Sequence, residues 1–377
     1  MNLRRLVAVA RKEFLHIRRD PRSLGMAIAI PMLMILLFGY ALTLDVDNVP
    51  IAVWDQSVSP ESRELVSRFE GSRYFEVRLR AKGYPDIERA IMAGQVMAAV
   101  VIPRAFSAHL RAGHGTSVQF LIDGSDSNTA TIALGYAESV TLAYSRDIAI
   151  REARVGGMGT LRDPLEVRSR VWFNADMESK NYIVPGLIAV IMLVIAALLT
   201  SLTVAREWET GTMEQLIATP ILGRELVLGK LLPYFVLGML DVFLAVGMGE
   251  FLFQVPLRGS VALLFGMAAI FLAGALSMGM VISIVAKSQL LASQLAMVLT
   301  FLPSFLLSGF MYPIRNMPKA IQGITHAIPA RYFVSLLKGI YLKGAGLSIL
   351  AAEAALLTAF SVTMVLLATK KFKKKLM

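Results

Sequence analysis

Four stretches of the sequence are long enough to cross a lipid bilayer without one charged side chain: Ser23 to Leu44, Tyr182 to Ala205, Gly259 to Ala286 and Ser288 to Ile314. A helix rises about 1.5 Å per residue, so about 20 apolar residues traverse the hydrocarbon core. Two further apolar stretches, Leu231 to Phe253 and Gly344 to Thr369, are interrupted by isolated acids. Only 17% of the 377 residues are charged, against about 25% in soluble proteins. The reading is an α-helical polytopic membrane protein with six transmembrane helices in a 1 + 5 arrangement. Between the first and second spans lies an inserted extracytoplasmic α/β domain, residues 45–180.

The formal charge of +11 does not point to nucleic acid, because the basic residues bunch at the chain ends. Arg4, Arg5, Arg11, Lys12, Arg18, Arg19 and Arg22 precede the first span, and Lys370, Lys371, Lys373, Lys374 and Lys375 close the chain. Lys and Arg are retained on the cytoplasmic side, so both ends are expected there, as six spans permit. The loop 311–345 strains this rule, since it would lie outside yet holds Arg315, Lys319, Arg331, Lys338 and Lys343. Its apolar content predicts a loop that dips back into the membrane. With no cysteine, disulfides, thiol catalysis and cysteine metal sites are excluded.

Residues 1–22 read as an amphipathic helix lying in the interface, with Leu6, Val9, Ala10, Phe14 and Ile17 opposite the basic side chains and Asp20-Pro21 as the break. The first span (23–44) starts too late and runs too long for a signal peptide, and no A-x-A site follows it. In the outer domain, Ile51–Trp54, Tyr74–Leu79, Val96–Ile102, Ser117–Ile122 and Val167–Phe173 read as strands. Ser59–Glu70, Pro85–Ala93, Pro103–Ala112 and Asn128–Arg154 read as helices, with Pro85 and Pro103 in first turns. The strand order stays open. Residues 181–369 form the five-helix membrane domain, with a cytoplasmic loop 205–228, and 370–377 is a basic tail.

The most ordered motif follows the second span: VAREWETGTMEQLIATP, residues 204–220. It is short and acidic, and Thr212 is placed to cap a helix beginning near Met213. On physical grounds it is either a solvated connector or a docking element. The motif resembles the signature loop of ABC-2-type exporter permeases. The resemblance covers essentially the whole chain, through RKEFLHIRRDPRS (11–23), FGYALTLD (38–45), IDGSDSNTA (122–130), RVWFNADMESKNYIVPG (170–186), LLSGFMYPIRNMP (306–318) and IPARYFVSLLKGIYLKG (328–344). It implies the subgroup with a large periplasmic domain, in the bacterial inner membrane, associated with multidrug efflux beside a periplasmic adaptor protein. It also implies docking on a separate ABC ATPase through Arg206, Glu207, Glu209, Gly211, Thr212, Met213, Glu214 and Leu216. On that expectation, replacing Glu207 and Glu214 by Lys uncouples ATP hydrolysis from export.

The chain itself has no ATP site. Its nearest match to a P-loop, Gly223 to Lys230, holds five residues between the glycines instead of four and is followed by Leu231. ATP and Mg²⁺ are expected on the partner, and no catalytic residue is expected here. Among ionisable groups in apolar runs, Asp241 lies mid-span while Glu250 and Glu353 lie nearer the outer ends. Such groups are functional candidates, for a proton or cation path, or protonated or hydrogen-bonded packing residues. Ala275, Gly279 and Ser283 form a small-residue stripe suited to helix packing, between subunits or within one. Pro31, Pro185 and Pro303 lie within spans, and 20 Met residues suit either an adaptable cavity or membrane filler. The four His residues make no metal set, and Asp123, Asp126 and Asn128 read as an Asx turn.

The leading function is a permease subunit that forms the substrate path with a second copy or a paralogue and exports hydrophobic molecules. The alternatives are an ion-coupled secondary transporter and a membrane sensor with an outer ligand-binding domain. The 1 + 5 layout lacks the repeat symmetry of the first, and the chain lacks a sizeable cytoplasmic output domain for the second.

Overall fold

The computed structural model describes residues 2–41, 47–112, 114, 116–125, 127–155 and 178–372. The expected strand Val167–Phe173, Asp126, and Lys373, Lys374 and Lys375 of the tail lie outside the described residues, as do the side chains of Arg22 and Asn128. The chain divides into two compact units, Leu44–Ser169 and the remainder, Met1–Thr43 with Arg170–Met377.

Helix α1 (Leu3–Arg19) is capped by Asn2, whose side chain accepts the Arg4 N–H at 3.1 Å, and it stops where Pro21 opens α2 (Pro21–Ala41). The inserted unit follows as β1 (Val49–Asp55), α3 (Pro60–Glu70), β2 (Phe75–Arg80), α4 (Tyr84–Met92), β3 (Ala98–Ile102), α5 (Phe106–Arg111), β4 (Gln119–Ile122) and α6 (Ser127–Val155). Its sheet has the order β2-β1-β3-β4, parallel except for the antiparallel β3–β4 pair. The central β3, AAVVI, is buried along its whole length, as a strand covered on both faces must be. Tyr144 on α6 donates to the Glu61 carbonyl at 2.8 Å, and Arg68 pairs with Asp147 at 2.7 Å, tying α3 to α6. Pro103 is not in a first turn. It precedes α5, and its carbonyl accepts the Phe106 N–H at 3.0 Å. Asp123 accepts the Ser125 N–H at 2.9 Å, the bond of an Asx turn.

The other unit continues with α7 (Ser179–Glu209), α8 (Thr212–Ala218), α9 (Gly223–Gly247) running into a π-helical turn (Met248–Leu252), α10 (Val261–Ala286), α11 (Gln289–Leu307), α12 (Lys319–Thr325), α13 (Pro329–Lys343) and α14 (Ala351–Lys371). Among the described residues, five helices are long and apolar enough to cross a membrane: Ser179–Glu209, Gly223–Leu252, Val261–Ala286, Gln289–Leu307 and Ala351–Lys371. The expected first span contributes a shorter apolar helix, Ala27–Ala41. From Ile183 to Ala197, α7 is apolar and buried on every side, the signature of a central helix. Exposed apolar side chains such as Val298 and Leu302 on α11 and Val362 and Leu366 on α14 suit contact with lipid.

Within the loop 311–345, α13 joins the same core: Phe333, Leu337 and Ile340 are buried, and Phe333 stacks on Phe271 of α10 at 4.1 Å. The Lys338 ammonium lies 3.3 Å from the centre of the Tyr182 ring and donates to the Gly309 carbonyl at 3.0 Å. A ring face and a carbonyl are what a cation beside an apolar core requires.

The packing of α1 differs from expectation. Val9, Ala10 and Glu13 are buried against the bundle, with Leu6 and Ile17 half-buried, whereas Phe14 is 53% exposed. Phe14 is one residue past Glu13, about 100° round the helix, and falls on a second, outward stripe with Leu3 and Val7. The buried stripe therefore admits a carboxylate and excludes an aromatic ring, because the carboxylate has a partner.

Candidate coupling junction

That partner is Lys230 on α9. Its ammonium lies 3.1 Å from Glu13 of α1 and 3.0 Å from Glu207 of α7, with side-chain exposures of 2%, 6% and 10%. Lys12 adds a second cation to Glu207 at 2.9 Å, and Tyr234 donates to Glu13 at 3.3 Å. Each ion costs several kcal/mol to remove from water, on the order of what good pairing returns, so the cluster survives only because every charge is matched. The result is a charged bolt through three helices. The close approach of α1 is set by Gly229. A Cβ there would lie 2.8 Å from the Val9 Cβ and 3.0 Å from the Leu6 carbonyl oxygen. The string that imitates a P-loop thus has a packing role: its last glycine admits α1, and its lysine pairs with it.

Residues 205–228 are mostly helical rather than a loop. Arg206, Glu207 and Glu209 form the last turn of α7, and the chain reverses at Gly211, whose φ of +71° lies in the left-handed region. Thr212 is not the cap of α8 but its first residue, the cap position being Gly211. Its hydroxyl donates to the Glu207 carboxylate, so the turn is joined to the ion cluster. α8 is anchored inward by Met213, 2% exposed, and by half-buried Leu216, leaving Glu214 and Gln215 facing outward.

The residues of the motif thus divide into two sets. Glu214 and Gly211 are exposed and available to a partner. Glu207, which the resemblance assigns to docking, turns inward and is 8% exposed. Glu209 is exposed yet engaged. Its carboxylate accepts the Gln289 backbone N–H at 2.7 Å and side-chain N–H at 2.6 Å, capping α11. Arg206 donates to the Gln289 side-chain oxygen at 3.3 Å and to His16 at 2.7 Å. Sequence reasoning missed Glu13, Lys12, Lys230 and Tyr234. The available signal was Lys230 itself, a cation beside an apolar run that calls for a carboxylate.

The small-residue stripe serves packing within the chain. Ala275 is fully buried. A Cβ on Gly279 would lie 2.2 Å from the Thr200 hydroxyl and 2.3 Å from the Ala197 carbonyl of α7. Ser283 accepts the Val204 and Ala205 N–H groups at 3.0 and 2.9 Å. Asp241, 1% exposed, has one carboxylate oxygen with no hydrogen-bond partner among the described residues. Glu250 is exposed in the π-helical turn, and half-buried Glu353 sits in the first turn of α14. These three acids stand apart in the sequence of elements, and among the described residues no hydrogen bond or ion pair joins any of them to the junction.

Residues 21–370 match the family described as ABC-2 family transporter protein. Over 377 residues the chain is 37% identical to the probable multidrug ABC transporter permease YbhS of Escherichia coli (strain K12), covering 100% of this chain and 98% of that protein. It is 30% identical over 345 residues to the probable multidrug ABC transporter permease YbhR of the same organism, 92% of each chain. To the linearmycin resistance permease protein LnrN of Bacillus subtilis (strain 168) it is 22% identical over 380 residues, 95% of this chain and 97% of that protein. A match that takes in every candidate span and the junction leaves one conclusion: the chain belongs to the ABC-2 family of transporter proteins and is a membrane transport subunit.

Proposed function

We propose that the chain is the permease of an ATP-driven exporter, docking through the outward face of α8 on a separate ATPase that holds ATP and Mg²⁺. In this reading α2 completes six spans, both termini are cytoplasmic, and residues 45–180 face the periplasm across a bacterial inner membrane. Two copies, or this chain and a paralogue, enclose the substrate path, and a periplasmic adaptor continues it outward. The relatives named as multidrug permeases support drugs or other hydrophobic molecules as substrates.

The observation that carries the coupling role is the Glu13–Lys230–Glu207 cluster, joined to the head of α8 by Thr212. A push on α8 passes to α7, α9 and α1 through buried charge-assisted bonds, which hold register better than apolar contacts that slide. The test uses inverted vesicles carrying this chain and the ATPase from its neighbouring reading frame. ATP should drive dye accumulation, and Glu214→Lys should abolish stimulation of ATP hydrolysis by the dye. Glu207 is left intact in this test, since its loss breaks the junction itself. Undiminished stimulation in Glu214→Lys refutes docking through α8, and failure of the chain to co-purify with that ATPase refutes the permease reading.

A further inference from the structure

A cavity of about 370 Å³ opens beside the junction, bounded by α1, α2, α7, the turn into α8 and the middle of α9. That is within the range of sites that hold small molecules, about 300–1,000 Å³. Its two ends differ in chemistry. Leu24 and Ala27 of α2, Leu199 of α7 and Leu237 of α9 line one end; Lys12, Glu13, His16, Arg206 and Glu207 line the other. Along α7 the change from Leu199 to Arg206 takes about 10 Å at about 1.5 Å per residue. The lining therefore has the polarity of an amphiphile standing along a helix.

The charge at the polar end selects the sign of the head. Lys12 and Lys230 are matched by Glu13 and Glu207. Asp20, the remaining acid of the lining, has partners of its own. Arg206 differs. A guanidinium only donates, so the His16 Nε2 at 2.7 Å accepts from it, and its other bond goes to the neutral amide of Gln289. Among the described residues no carboxylate lies within ion-pair distance of it. A half-buried cation with only neutral acceptors and unused N–H donors fits an anionic oxygen group, which a guanidinium grips through two parallel bonds.

We propose that this cavity binds a single-chain anionic amphiphile, its phosphate or carboxylate head on Arg206 and its chain against Leu24, Ala27, Leu199 and Leu237. At about 30 Å³ per methylene-sized group, close to the volume of a water in the liquid, the cavity has room for roughly a dozen such groups in all, which an anionic head and one alkyl chain fill without space for a second chain. Thr210 and Thr212, on either side of Gly211, also line it, so the occupant touches the turn that leads into α8. The inference goes beyond the permease reading, and it is tested on this chain alone, so its failure leaves that reading standing.

The experiment titrates full-length chain in neutral detergent with dodecyl phosphate and counts bound molecules by native mass spectrometry. One molecule per chain is expected, with dodecyltrimethylammonium and inorganic phosphate each at least about tenfold weaker. Arg206→Gln should weaken dodecyl phosphate about tenfold, with partial recovery in Arg206→Lys, and Leu199→Trp should block it from the apolar end without touching a charge. A lysophosphatidic acid that outcompetes dodecyl phosphate supports a membrane lipid as the source, and the reverse order supports a free amphiphile. Equal binding of the cationic detergent, equal binding of a diacyl phosphatidylglycerol, or unchanged affinity in both Arg206→Gln and Leu199→Trp overturns the proposal.

Discussion

Replacing Lys230 by Met removes the shared cation while keeping the volume and the apolar stem. At 3.0 and 3.1 Å from two carboxylates, the ammonium gains about 5 kcal/mol of gross attraction from each at an effective dielectric constant of about 20. The carboxylates lose unequally. Glu207 keeps Lys12 and Thr212, although Lys12 is 52% exposed and screened by water, whereas Glu13 keeps, among the described residues, the Tyr234 hydroxyl at 3.3 Å alone. An uncompensated buried carboxylate typically costs about 3–5 kcal/mol, and that is the expected loss for Lys230→Met. Glu13→Gln in the Lys230→Met background removes the stranded charge, so the double variant should recover about 3 kcal/mol relative to the sum of the singles. The measurement is equilibrium unfolding of the full chain in mixed detergent micelles with rising SDS, followed by fluorescence, to which Trp208 beside the junction contributes. Costs that add to within about 0.5 kcal/mol, or a Lys230→Met cost below about 1 kcal/mol, would refute the cluster as an energetic unit.

Gly279→Ala should destabilise the bundle by about 1–3 kcal/mol in the same titration, because its Cβ would press on the Ala197 backbone oxygen, which cannot swing away as a side chain does. Glu209→Ala should cost about 0.5–2 kcal/mol and speed hydrogen exchange at the Gln289 amide, while Glu214→Ala, which caps nothing, should leave that amide unchanged. In the inserted unit, hydrogen bonds from Arg111 and then Ser107 hold Glu61 down from 4.5 to about 2. Its contribution to stability is therefore complete above about 4.5 and lost as pH falls through about 2, so exchange at the Ile51–Val53 amides should quicken across that window, less so in Glu61→Gln. Asp241→Leu should raise stability by about 1–3 kcal/mol, since it removes a buried oxygen with no partner; a loss of stability would mean that the carboxyl is bonded in the native bundle.

What could be read from the sequence follows from how local each signal is. A membrane span is written in consecutive residues, so α7, α10 and α11 are legible from uncharged runs alone, and the strands of the inserted unit from their β-branched residues and turns. Strand order is a property of pairs distant in sequence. Nothing in AAVVI says that it lies between β1 and β4. The coupling motif fails to resolve for the same reason. Glu207 and Glu214 are two acids in one short acidic string, and only the helical phase on either side of Gly211 turns one in and the other out. The phase could have been worked out, because Glu207 follows Val204 and Thr203 round the buried side of α7, but its partners lie 23 residues ahead and 195 behind. The three-way pairing has a trace in the sequence all the same. Lys230 leads directly into an apolar stretch, and Glu13 falls between Ala10 and Ile17 on one stripe of a basic helix, each a charge that is untenable without the other. Read singly, each looks like an error in an otherwise regular pattern; read together, two misplaced charges of opposite sign predict that α1 lies on α9 before any coordinate is known.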